Sequence, residues 1–200
     1  MNTIFGTCTK RTFVVSLVLA LAACGGSGSD DEATSSYSSF DQIDADAVVT
    51  IGTYIEGNGD LNAPVTAGAA LSSGSVAYDG FIRGDIDGAT LTGTVTMNVN
   101  FGDASVAGSA TDFFHETDGA YEGSLSGSGI VDAGATGTKP QLTATLDGSL
   151  TNGSVPFDTT LLLDGDFLTF DGTDGAAVAG LVEGNVGTAT FDDGLFAAEQ

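Results

Sequence analysis

From residue 74 onward the chain repeats one pattern, apolar and polar side chains in alternation and then a short turn. In TLTGTVTMNVNF (90–101), Leu91, Gly93, Val95, Met97, Val99 and Phe101 fall on one face. Thr90, Thr92, Thr94, Thr96, Asn98 and Asn100 fall on the other. Successive side chains of a strand point to opposite sides, so a strict period of two predicts a strand with one buried face. QLTATLDGSL (141–150) sets Leu142, Ala144, Leu146, Gly148 and Leu150 against Thr143, Thr145, Asp147 and Ser149. AYEGSLSGSGIV (120–131) groups Tyr121, Gly123, Leu125, Gly127 and Gly129, and SVPFDTTLLL (154–163) groups Val155, Phe157, Thr159, Leu161 and Leu163. Between them lie the turn signals DIDGA, FGDAS, ETDGA, GATGTKP, LTNGS and DGTDG, four of which carry an Asp-Gly or Asn-Gly pair. Such pairs supply the positive φ of tight hairpins.

About eight strands fit into 74–200, joined by short loops in a meander. Eight meandering strands close naturally into a barrel, which removes the exposed edges. The expected fold is therefore all-β, an eight-stranded antiparallel up-and-down β-barrel, with a two-sheet sandwich as the alternative. The 30 glycines weigh against helices, since each costs about 1 kcal/mol at a helical position. Small inward residues leave two options, a ligand cavity or a strongly sheared, filled core; the filled core is expected.

The start of the chain reads differently. Lys10 and Arg11 precede an apolar stretch from Phe13 to Ala23 that is too short to span a bilayer. That order predicts a secretory signal peptide over 1–23. Its end, Leu21-Ala22-Ala23-Cys24, resembles the lipobox of bacterial lipoproteins. The resemblance implies that Cys24 is acylated and anchors the chain in the lipid bilayer. It also implies an outer-membrane address, at the cell surface or on the periplasmic face, because Gly25 rather than aspartate follows the cysteine. Residues 24–47 are expected to form the lipidated cysteine and a flexible, acidic, Gly/Ser-rich tether. Residues 48–73 are an uncertain β/loop segment in which VVTIGTYI (48–55) has the composition of a strand. The barrel domain is placed at 74–200.

Composition excludes some partners. Residues 24–200 hold all 27 acids and only two strong bases, Arg83 and Lys139, a formal charge of −25. Such a surface repels phosphate backbones, so nucleic acid is not an expected partner. Both cysteines fall at or before position 24, so packing and backbone hydrogen bonds must hold the fold without disulfides.

Three further stretches carry a resemblance: VNFGDASVAGSATDF (99–113), FDGTDGAAVAGLVEG (170–184) and the closing GTATFDDGLFAAEQ (187–200). In this order, behind a lipobox and tether, they resemble the C-terminal barrel of transferrin-binding protein B and its relatives, factor H binding protein among them. Asn100-Phe101-Gly102 stands for a DFG-like turn, Asp171 replaces a tyrosine, and Glu199 replaces a terminal lysine. The resemblance implies a non-enzymatic binding lipoprotein whose ligand is a host protein, haem or a small solute. The alternative is a structural envelope lipoprotein whose acidic coat serves no specific ligand.

No catalytic cluster is legible. His115, the only histidine, lies in DFFHETDGA and is expected at the surface. No GxSxG or HExxH occurs, so no catalytic residue, cofactor or metal ligand is assigned. Asp164, Asp166, Asp171 and Asp174, with Asp85 and Asp87, are dense enough to raise calcium, but they also suit turn-starting positions. Asn152-Gly153-Ser154 reads as a hairpin turn rather than a glycosylation site.

Overall fold

The computed structural model describes residues 36–71, 73–132 and 141–200. The signal peptide, Cys24, the tether up to residue 35 and the GATGTKP turn lie outside them. The strands are β1 (Ser75–Ile86), β2 (Ala89–Asn100), β3 (Ser105–His115), β4 (Gly119–Asp132), β5 (Gln141–Asn152), β6 (Val155–Phe170), β7 (Thr173–Val186) and β8 (Ala189–Glu199). Each pairs antiparallel with the next, and β8 pairs with β1, closing an up-and-down barrel. The expected fold is the observed one.

The turns follow from backbone chemistry. Asp87-Gly88 and Asp171-Gly172 join β1–β2 and β6–β7 with both residues at positive φ, the type I′ pattern that matches strand twist. The LTNGS turn is centred one residue later than its Asn-Gly pair suggests. Asn152 pairs with Val155, and Gly153-Ser154 form the loop, with Gly153 at φ 61°. Asn152 instead spends its amide on the carbonyls of Asp118 and Ala120, at 2.9 and 3.2 Å.

The predicted inward faces are largely the buried ones, although Val155, Gly123 and Gly148 on them are exposed. Leu91, Val95, Met97 and Val99 are buried, as are Leu142, Ala144, Leu146 and Leu150. Rings fill the barrel: Phe167 packs against Tyr78 and Phe101, with centroids 5.9 and 5.2 Å apart. Many inward glycines stand where another group needs the space. A Cβ on Gly93 would lie 2.5 Å from the ring of Phe113, and one on Gly165 would lie 2.6 Å from Phe196. At Gly127 and Gly129 the carbonyls of Thr145 and Thr143 occupy that position. The small inward residues therefore admit rings and close strand contacts, as in the filled-core expectation.

Residues 40–55 correct the sequence reading. Phe40–Tyr54 is a helix, α1, where tether was expected to 47 and a strand from 48. Its buried residues, Ile43, Ala47, Ile51 and Tyr54, recur every three or four positions and form one face. That face packs on an apolar strip outside the barrel, formed by Ala177 and Ala179 of β7, Ala197 and Leu195 of β8, and Phe81 of β1. The strip is unusual in being buried on the outer face, and it explains why a segment rich in β-branched residues is helical. Tertiary packing, more than intrinsic propensity, stabilises such helices. Beyond α1 the chain returns along the barrel. Val65 bridges Leu168, Thr66 N–H donates to the Phe167 carbonyl at 2.8 Å, and Gly68–Ala70 forms one 3₁₀ turn.

Candidate functional site

The barrel's faces are opposite to those of a membrane-spanning barrel. Outside the strip under α1, most of its apolar side chains point inward, whereas Asp79, Thr96, Asn98, Asp164 and Glu183 point outward. A lipid-facing exterior would instead carry an apolar band. Among the described residues no helix is long and apolar enough to cross a membrane.

On this polar exterior lies a groove of about 320 Å³ over β1–β3, beside α1. Its floor is Phe81, with Thr94 and Thr96 of β2 alongside. Phe81 points outward because Ile82 and the other inward residues of β1 take the alternate positions. Tyr37, in the segment leading into α1, stands edge-on to Phe81 at 6.2 Å. The Tyr37 hydroxyl donates to Asp46 Oδ2 at 3.2 Å. Burial, then this bond and the charges of Asp46 and Asp112, push its phenol up.

Three carboxylates reach the groove, each from a different strand. Asp79 of β1 accepts a hydrogen bond from Thr96 Oγ1 at 2.8 Å. Asp112 sits in a β-bulge of β3 at φ 54° and accepts from Ser36 Oγ at 3.2 Å. Bulges re-aim side chains, and this one turns Asp112 towards the groove. Glu199 of β8 accepts from the Tyr54 hydroxyl at 2.8 Å. Burial and then that bond raise the Tyr54 phenol to about 12. Arg83 is the only lysine or arginine among the described residues, and it serves Asp44 of α1 at 2.8 Å. The groove thus joins ring faces to negative oxygens, a combination that suits an organic cation or a basic side chain.

His115 is not at the surface. It pairs with Leu91, shares its inward face and is 3 % exposed. Its Nδ1 lies 3.2 Å from both the backbone nitrogen and the carboxylate of Asp118, and its Nε2 lies 3.4 Å from the Ile86 carbonyl. The Tyr121 ring lies edge-on at 6.0 Å. His115 therefore closes one end of the barrel, tying the β3–β4 turn to the end of β1.

The aspartates of the calcium question are spread out. Asp85 accepts from Thr90 at 2.9 Å and Asp174 from Thr169 at 2.9 Å, while Asp87 and Asp171 occupy turn positions at φ 51° and 49°. Asp164 and Asp166 project outward from β6. Among the described residues no three His, Cys, Asp or Glu side chains converge as a metal site requires. The groove as a whole was missed in the sequence because its residues come from distant segments, and only the outward positions of Thr94 and Thr96 were read from alternation. Comparison with protein-family models, curated proteins and solved structures gives no match.

Proposed function

We propose that the chain is a lipid-anchored, non-enzymatic envelope lipoprotein that binds its ligand on the outside of the barrel, in the groove over β1–β3. The observation that carries this reading is the division of space: side chains fill the barrel interior, while the groove lies open between α1 and the strands. The anchor rests on the lipobox at Leu21–Cys24, and the likeness to transferrin-binding protein B on the order of lipobox, tether and barrel. Eight-stranded barrels serve many functions, so the fold alone does not choose among ligands. The groove's chemistry favours a cationic group with an apolar body over haem, whose carboxylates would meet Asp79, Asp112 and Glu199. The role of His115 in closing the barrel supports the non-enzymatic reading.

The second reading, an acidic coat without a ligand, is favoured by the spread of outward acids such as Asp147, Asp164 and Glu183. Two measurements separate these readings. Labelled palmitate is expected on the chain expressed in a Gram-negative host and absent from Cys24→Ala; label on both would remove the anchor assignment. Calorimetric titration with arginine amide is expected to saturate and to weaken about tenfold in Asp112→Asn, as for loss of one charged hydrogen bond. Titration without saturation favours the coat.

A further inference from the structure

Seven of the eight strand pairs are formed by neighbours in sequence, but the pair that closes the barrel is not. In β1–β8, Asp79 faces Glu199 and Asp85 faces Asp192. No turn links these strands, so closing them costs the loop entropy of the intervening chain. All four residues sit on the outer face, and two like-charge pairs lie directly across the seam. Such pairs are destabilising, whereas opposite charges there would help. Neither pair has a cation: among the described residues the sole base, Arg83, lies between them and is held by Asp44. The hydroxyls of Thr96, Thr90 and Tyr54 donate hydrogen bonds to Asp79, Asp85 and Glu199 without neutralising them. A bulge with Asp193 at φ 50° shifts the register between the two pairs.

Helix α1 lies across this seam. It packs chiefly against β1 and β8, holding Phe81 and Arg83 on one side and Leu195, Ala197 and Glu199 on the other. We infer that α1 is a clasp over the closing seam, and that the seam is a salt-sensitive gate: cations screen its two acid pairs, and low ionic strength opens β1 from β8. The clasp works mainly through apolar contact. The half-buried Arg83–Asp44 ion pair adds little beside the burial of Ile43 and Ile51 against the barrel.

The test is hydrogen exchange on the full chain, purified in mild detergent, at low and high sodium chloride. Amides of β1 and β8 should exchange about fivefold faster at low salt, a change matching two screened pairs, while those of β4–β6 change less. Asp79→Asn with Asp192→Asn should abolish the seam's extra response. Asp147→Asn with Asp164→Asn changes the net charge equally and should leave it. Equal responses in all strands, or equal effects of the two double variants, would mean a global charge effect and overturn the gate. Ile51→Asp should raise seam exchange at both salt levels. Unchanged seam protection with α1 amides exchanging freely would overturn the clasp.

Discussion

At the scale of single residues, the barrel is a set of paired excesses and deficits of volume. Phe113 occupies the space a side chain on Gly93 would need, and Phe191 does the same to Gly84 and Gly194. Gly93→Ala is therefore expected to destabilise the protein by about 1–3 kcal/mol through overpacking, although alanine suits a strand better than glycine. Leu146→Ala, at a fully buried position, should cost about 2–5 kcal/mol by leaving a cavity. Urea unfolding monitored by circular dichroism measures both, and a neutral Gly93→Ala would show that Phe113 has room to move. The tyrosines add a pH dependence. Burial pushes the Tyr78 phenol up to about 12, and burial with the Glu199 bond does the same at Tyr54. A folded-state value above the ordinary 10 favours the neutral phenol, so this contribution is complete below about pH 10 and lost as pH rises towards 12. Unfolding midpoints should fall across that window, and less so in Tyr54→Phe. Of these features, the inward positions were legible from alternation alone. The burial of His115 was not, because a histidine beside a turn carries no signal of which face it takes until the strand's register is known.

At the scale of elements, the strands were readable and the helix was not, and the reasons differ. A strand with one wet face announces itself through its period of two, and β2 and β5 do so over most of their length. Helix α1 buries a narrow face of four residues in a segment whose Val48, Val49, Thr50, Ile51 and Thr53 suggest a strand. Its signal lay elsewhere, in AAVAGLV and LFAA of β7 and β8, where unbroken apolar runs mark strands covered on both sides. Something had to cover the outer face, and the residues before β1 were available to do it. Ile51→Asp should accordingly detach α1 while leaving the barrel's strand signal, and should expose Phe81, Leu195 and Ala197 to a hydrophobic dye. Loss of all strand signal in that variant would mean that the barrel cannot stand without its helix.

At the scale of the whole molecule, one connection controls the rest. Every hairpin from β1 to β8 can pair as soon as its two strands exist. The closed state, in contrast, needs β1 to wait for a partner more than a hundred residues away, because Gly80 pairs with Ala198. During synthesis, the barrel cannot close until position 199 has left the ribosome, however early the first hairpins form. Closure is therefore the last step open to the sheet, and the seven hairpins must wait on it as an unclosed ribbon.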